Sequence, residues 1–271
     1  MPARAPDPTT GHHAGDAIFG HVLAGIDETP ESLVAAAQAG VLRAPGGQLV
    51  LLAVAETYLA AHAGLAAVGA GDHLVAGASA DLERAKELVD ADDAILAEGR
   101  LVPMLCAECS RRGATLIAVG VRPHRRLPAM TFGGHEVEAL HDARCSVLIA
   151  RPGWGPSKPE RIVVGVDGSP EARNAETVAR TLAARLGCEV VPVVALGGNV
   201  DLELLRAERD DAVLDPGQPA DALVRASSER SLLVVGRGPE RRRWGGRVAE
   251  RIVYSTRCSV LVVQHEPAAA A

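Results

Sequence analysis

Gly25-Ile26-Asp27-Glu28-Thr29-Pro30-Glu31 returns later in the chain as Gly165-Val166-Asp167-Gly168-Ser169-Pro170-Glu171. Working outward, Thr115-Leu116-Ile117-Ala118-Val119-Gly120 matches Ser231-Leu232-Leu233-Val234-Val235-Gly236, and Arg144-Cys145-Ser146-Val147-Leu148 matches Arg257-Cys258-Ser259-Val260-Leu261. Three matches in the same order make the chain two copies of one unit. The copies are expected over residues 20–151 and 160–265. They are joined by Pro152-Gly153-Trp154-Gly155-Pro156-Ser157-Lys158-Pro159, a linker by its Pro and Gly content. Residues 1–19 read as a disordered tail, and 266–271 as a C-terminal tail.

Each copy alternates strand and helix. In copy one the expected strands are His21–Asp27, Gln48–Glu56, Ala94–Glu98, Ala114–Gly120 and Ser146–Ala150. Helices open at Pro30 and run over Ala78–Asp92 and Val102–Arg112, with a last one from about His135. Proline is tolerated in a first helical turn because its missing N–H has no intrahelical partner there anyway. Copy two gives strands Arg161–Asp167, Glu189–Leu196, Ala212–Leu214, Ser231–Gly236 and Ser259–Gln264, with helices Ala172–Leu186, Ala220–Glu229 and Val248–Ser255. The fold class is α/β: two tandem doubly wound domains, each a parallel sheet with helices on both faces. Ligands of such sheets bind at the carboxyl ends of the strands, where the strand order reverses. Copy two is the shorter, and the Ala/Gly-rich stretch Tyr58–Ala76 of copy one is expected to be a loop or lid over the first cleft.

The composition agrees with that architecture. Of 271 residues, 48% are hydrophobic but only 2% aromatic, so the core is built from Ala, Val, Leu and Ile. Such residues suit strands buried on both faces. A formal charge of −6 argues against nucleic acid as a partner. Five cysteines, an odd number, fit a reducing compartment rather than a disulfide scaffold. The N-terminal stretch lacks the apolar core of a signal peptide, and no apolar run is long enough to span a bilayer. The expectation is a soluble cytoplasmic protein with no membrane partner.

These motifs resemble the universal stress protein family over nearly the whole chain. The resemblance rests on a first strand ending in G-[IV]-D-x-[ST]-P-E, a fourth strand ending in V-G, and a last strand preceded by R-C-S-V-L. It implies five strands per domain, of the adenine nucleotide alpha hydrolase-like, Rossmann-like kind. It also implies ATP or another adenine nucleotide as ligand. Asp27, with Gly25 before it, and Asp167 match the family's Asp after strand one. Val54 and Val194 match the backbone site for adenine at the end of strand two. Gly120 and Gly236 match the first glycine of a G-x2-G-x9-G-[ST] phosphate loop, and Gly133 and Gly246 match its third. Arg122, Gly134 and His135 lie in or beside the first of these loops. Single-domain members commonly dimerise, so the resemblance further implies an intramolecular pairing of the two copies, with a homodimer of the whole chain as a further form. The last strands, Ser146–Ala150 and Ser259–Gln264, are the expected internal interface, because an apolar sheet edge needs a cover.

Both copies depart from the pattern. Pro123 and Pro239 replace the second loop glycine, removing an N–H donor and fixing φ. Gly134 and Arg247 replace the hydroxyl residue, and copy two has only six residues between Pro239 and Gly246. Copy one is therefore the expected stronger nucleotide site. Both loops share a G-x-x-P-x-R-R pattern, Gly120 to Arg126 and Gly236 to Arg242. Arginine forks bind phosphate without backbone help, while an arginine-rich loop is also an ordinary solvated surface.

Other motifs carry less. Cys106-Ala107-Glu108-Cys109 has CxxC spacing but falls inside a predicted helix, away from the N-terminal dipole that activates redox thiols. With no second ligand pair for zinc, the expectation is two helix-packing cysteines, with Cys145 and Cys258 as small buried residues. His124 and His135 have no partner nucleophile or base, and no G-x-S-x-G, H-E-x-x-H or G-x4-G-K-[ST] motif is present. Three readings stay open. The favoured one is a non-enzymatic stress-response regulator with two nucleotide-type clefts. The others are a nucleotide-free protein–protein scaffold and a slow ATPase.

Overall fold

A computed structural model describes residues 18–57, 69–121, 139, 142–198, 200, 211–238 and 247–264. The first half runs β1 (His21–Ile26), α1 (Pro30–Leu42), β2 (Gln48–Ala55), α2 (Ala70–Leu88), β3 (Asp93–Glu98), α3 (Leu101–Arg112), β4 (Leu116–Gly120) and β5 (Ser146–Ala150). The second runs β6 (Arg161–Gly165), α4 (Pro170–Leu186), β7 (Glu189–Ala195), β8 (Val213–Asp215), α5 (Pro219–Ala226), β9 (Ser231–Gly236), α6 (Arg247–Ser255) and β10 (Ser259–Val263).

All ten strands form one sheet, in the order β3-β2-β1-β4-β5-β10-β9-β6-β7-β8. Within each half every ladder is parallel. Read outward from the centre, the two halves give the same order of equivalent strands, so a pseudo-twofold axis passes between β5 and β10. These central strands are buried from end to end and apolar after their first serine, as strands covered by helices on both faces must be. The helices start where the sequence dictates. Thr29 Oγ1 accepts the Ser32 N–H and Ser169 Oγ accepts the Ala172 N–H, each ahead of a proline in the first turn. Two layers of core result, one on each sheet face. Fully buried side chains such as Leu23, Leu51, Ile117 and Ile162 each contribute roughly 1.5–3 kcal/mol of apolar burial.

The halves join through β5 and β10, the one antiparallel ladder among the described strands, with Leu261 opposite Leu148. The R-C-S repeat finds its explanation here. Arg151, one residue past β5, donates its N–H to Ser259 Oγ (3.0 Å), and Gln264, one residue past β10, donates to Ser146 Oγ (3.1 Å). The two equivalent serines thus cap the two ends of the seam in the same way. One buried polar knot breaks the symmetry. Gln38 on α1, fully buried, donates from Nε2 to the carbonyls of Arg151 (2.8 Å) and Trp154 (2.6 Å), and its Oε1 accepts from Ser259 Oγ (2.7 Å). Arg185 at the end of α4 adds bonds from its guanidinium to the carbonyls of Ile18 and Leu42.

Two sequence expectations change. The helix expected over Ala78–Asp92 runs over Ala70–Leu88, so residues 70–76 of the supposed lid are helical. Alanine-rich sequence carries the helix back to Gly69, whose φ of 85° sets its start, and buried Leu82 and Ala85 anchor its second half on the core. Residues 58–68 lie outside the described residues. The connecting stretch after Arg151 is also no free tether. Trp154 is buried, and a Cβ on Gly153 would fall on the Glu229 carbonyl.

Candidate functional site

The sheet's switch points lie between β1 and β4 and between β6 and β9. At the second, a cleft of about 440 Å³ opens at the carboxyl ends of the strands. Its floor comes from Gly165-Val166-Asp167 at the end of β6, Val193 and Ala195 of β7, and Val235 to Gly238 at the end of β9. Helices α5 and α6 wall it with Leu223, Val248 and Ala249. The lining is largely aliphatic, with Asp167, Glu171, Glu250 and Arg237 as its charged side chains. A concave apolar site of this size fits one small organic molecule.

Asp167 and Gly236 therefore stand where the sequence places them, but each already has a local task. Asp167 Oδ1 accepts the Ser169 N–H at 2.9 Å. Asp27 Oδ1 likewise accepts from the Thr29 N–H at 2.9 Å and from the Thr29 hydroxyl. Both close the turn that leads into a helix. The glycines are required by packing. A Cβ on Gly120 would fall on the Glu31 carbonyl and 2.6 Å from Ser32 N, and one on Gly236 would fall on the Glu171 carbonyl and 3.0 Å from Glu171 Cβ. Strands β4 and β9 end against the first turns of α1 and α4, and only glycine lets them come so close. The next amides are occupied too: Val121 N–H donates to Ala150 O (3.1 Å) and Arg237 N–H to Val263 O (2.9 Å). The Arg237 guanidinium reaches across the seam to the Ala143 carbonyl and, within its own half, to Gln264 Oε1 (3.1 Å).

The strand-two correspondence is corrected by the register. Gly25 lies opposite Leu52 and Gly165 opposite Val193, so the mate of Val54 is Ala195, not Val194. Side chains alternate along a strand. Val194 is buried in the core on the far face, while Val193 and Ala195 face the cleft. In the first half, Gly25, Asp27, Val54 and Gly120 gather at the carboxyl ends of three adjacent strands, β2, β1 and β4. Leu105 and Leu101 of α3 back Gly25: a Cβ added there would lie 3.4 and 3.7 Å from their side chains. Arg122, Gly133, Gly134, His135 and Gly246, with both arginine-rich loops, lie outside the described residues. Sequence reasoning passed over Glu171 and Glu250 on the cleft wall. Glu171 closes the repeated motif itself, so a signal for it was present.

At the end of β8, Asp215 holds Arg225 through both carboxylate oxygens and takes the Gly217 N–H at 2.7 Å. Arg225 beside it, with that amide, keeps the Asp215 carboxyl below the usual carboxylate range. Among the described residues, no group of three or more His, Cys, Asp and Glu side chains could hold a metal ion, and no helix is long and apolar enough to cross a membrane.

Comparison with known proteins agrees with this geometry. No curated protein matches the chain in sequence. In fold it is similar to a universal stress protein from Archaeoglobus fulgidus (17% identity, TM-score 0.63, covering 91% of this chain and 98% of that one). A putative universal stress protein from Pseudomonas aeruginosa is also similar (20% identity, TM-score 0.58, 91% and 93% covered), and both likenesses extend over the two halves. The model of the universal stress protein family matches residues 19–151, and the first half of the chain is a domain of that family.

Proposed function

We propose that the chain is a non-enzymatic stress-response protein whose two switch-point clefts bind an adenine nucleoside or nucleotide. The cleft after β6 and β9 carries this reading: its volume of about 440 Å³, its aliphatic walls and its place at the strand-order reversal suit a planar base and its sugar. The charged groups do not favour a polyphosphate there. Asp167, Glu171 and Glu250 line the cleft, and Arg237 is already bonded to Ala143 and Gln264. Preference for phosphates in either half then falls to the arginine-rich loops.

Calorimetry on the full chain with adenosine, AMP and ATP tests the reading. Ala249→Trp should fill the second cleft and abolish one site, while Val54→Trp should act on the first. The absence of binding heat with all three ligands, together with no small molecule released from freshly purified protein, would refute it. The second reading, a nucleotide-free scaffold, is favoured by one observation: Asp27, Asp167, Gly120 and Gly236 all have structural tasks that need no ligand.

A further inference from the structure

Cys109, near the end of α3, and Cys145, just before β5, bring their sulfurs to 3.1 Å. That lies inside the van der Waals separation of two sulfurs, yet both thiols are free. They are 4% and 8% exposed, so contact with each other replaces contact with water. The equivalent cysteine of the second half has no such mate: Cys258 Sγ lies 3.0 Å from the Thr256 hydroxyl. The CxxC neighbour Cys106 is one helical turn away and only partly buried.

We propose that Cys109 and Cys145 form a peroxide-oxidisable dithiol that closes to a disulfide specific to the first half. The Cys109 thiolate attacks one oxygen of hydrogen peroxide. The O–O bond breaks, Cys109 becomes a sulfenic acid, and the departing hydroxide takes a proton to become water. Cys145 sulfur then displaces the sulfenic hydroxyl, the S–O bond breaks, and a second water leaves. Two thiols lose two electrons and two protons, and one peroxide is reduced to two waters. A disulfide needs the sulfurs at ~2.05 Å, so a closure of about 1 Å completes the bond. The assignment of nucleophile follows the local chemistry. The hydrogen bond shared with Cys145 holds the Cys109 thiol below its ordinary pKa, while that bond and burial push Cys145 well above. The residues enclosed by the bridge include β4 and the whole Gly120–Gly133 segment of the family's phosphate loop, so the bridge would bracket that segment covalently.

The test is exposure of the native full-length chain to hydrogen peroxide, followed by thiol titration and mass spectrometry of non-reduced peptides. The free-thiol count should fall from five by two, with one linked peptide pair joining Cys109 to Cys145 and a loss of two hydrogen masses. Cys145→Ser should instead leave Cys109 as a sulfenic acid that dimedone captures, and Cys109→Ser should leave Cys145 and Cys258 unreacted. Oxidation should also raise the melting temperature of the wild-type chain and not of either variant. Linkage of Cys106 to Cys109, chain-to-chain linkage, or five unreacted thiols in native protein that all react in urea would each overturn the proposal.

Discussion

Replacing Gln38 with methionine keeps the volume of the side chain and removes its hydrogen-bonding groups. In the native seam Gln38 Nε2 serves two carbonyls, of Arg151 at 2.8 Å and Trp154 at 2.6 Å. After the change the Arg151 carbonyl keeps the Ser259 hydroxyl at 3.2 Å, but the Trp154 carbonyl has no other partner among the described residues. A buried polar group left unpaired costs about 1–3 kcal/mol, and the apolar side chain offsets part of that. A net loss of about 2 kcal/mol follows, which for a chain of this size is roughly 4–8 °C in Tm. Urea unfolding should shift its midpoint at unchanged slope, because the continuous sheet leaves the halves no boundary at which to unfold separately. Combining Gln38→Met with Ser259→Ala should show a coupling of about 0.5–3 kcal/mol, as groups in one network do. A loss under about 0.5 kcal/mol, or strict additivity in the cycle, would refute the view that this knot holds the halves together.

Gly236→Ala should cost about 1–3 kcal/mol of stability by overpacking β9 against α4, while Gly238→Ala, whose Cβ meets nothing within 4 Å, should change little; equal effects in denaturant titrations would remove the packing explanation. The paired change Arg125→Ala and Arg126→Ala should lower ATP affinity by roughly ten- to a hundredfold and spare adenosine, since a charge-assisted contact is worth about 1.5–3 kcal/mol; unchanged ATP affinity at low salt in calorimetry would make those arginines a solvated loop. Asp215 has a lowered pKa, so its pairing with Arg225 adds stability above the unfolded carboxyl pKa of ~3.9 and loses it as pH falls through the folded value. Arg225→Gln should accordingly destabilise at neutral pH by an amount that shrinks below about pH 4; a difference constant down to pH 2 would contradict this.

The repeat made the sheet legible. Its strands stand out because they are uninterrupted runs of Val, Leu, Ile and Ala, and the apolar last strand of each copy needed a neighbour on its open edge. The serine of R-C-S-V-L was visible as a repeat, but its task was not, because that task exists only when two copies face each other antiparallel. The site was read less well. A one-residue slip put Val194 where Ala195 belongs, since aligning two short apolar strands by type does not reveal which face each side chain takes. Asp27, Asp167, Gly120 and Gly236 were found as positions, yet their partners lie at the starts of α1 and α4, Thr29 and Ser169 for the aspartates and the Glu31 and Glu171 carbonyls for the glycines, which no motif spells out. The Cys109–Cys145 contact was missed because CxxC spacing drew attention to Cys106, whereas the helix turns Cys109 toward a strand far away in sequence.

A covalent pair of domains is free to become unequal where a dimer of identical chains is not. In a symmetric dimer every seam contact occurs twice, and a polar knot that suits one side must suit the other. Here the seam keeps its symmetric part, the two serine caps at 3.0 and 3.1 Å, and adds to one side only the Gln38 knot. The same licence extends outward. The first half pairs Cys145 with a second cysteine where the second half sets Cys258 beside a threonine hydroxyl, and the second half carries the Asp215–Arg225 clasp on its three-residue edge strand. Because the halves share one sheet, a ligand that stiffens the ends of β6 and β9 acts on strands hydrogen-bonded, through β10 and β5, to β4 and β1 of the other cleft. The Arg237 bond to Ala143 is a direct tie along that path: it starts on the wall of the second cleft and ends on the first half two residues before Cys145. A ligand in the second cleft and an oxidant at Cys109, as proposed above, would thus act on elements joined by one continuous sheet.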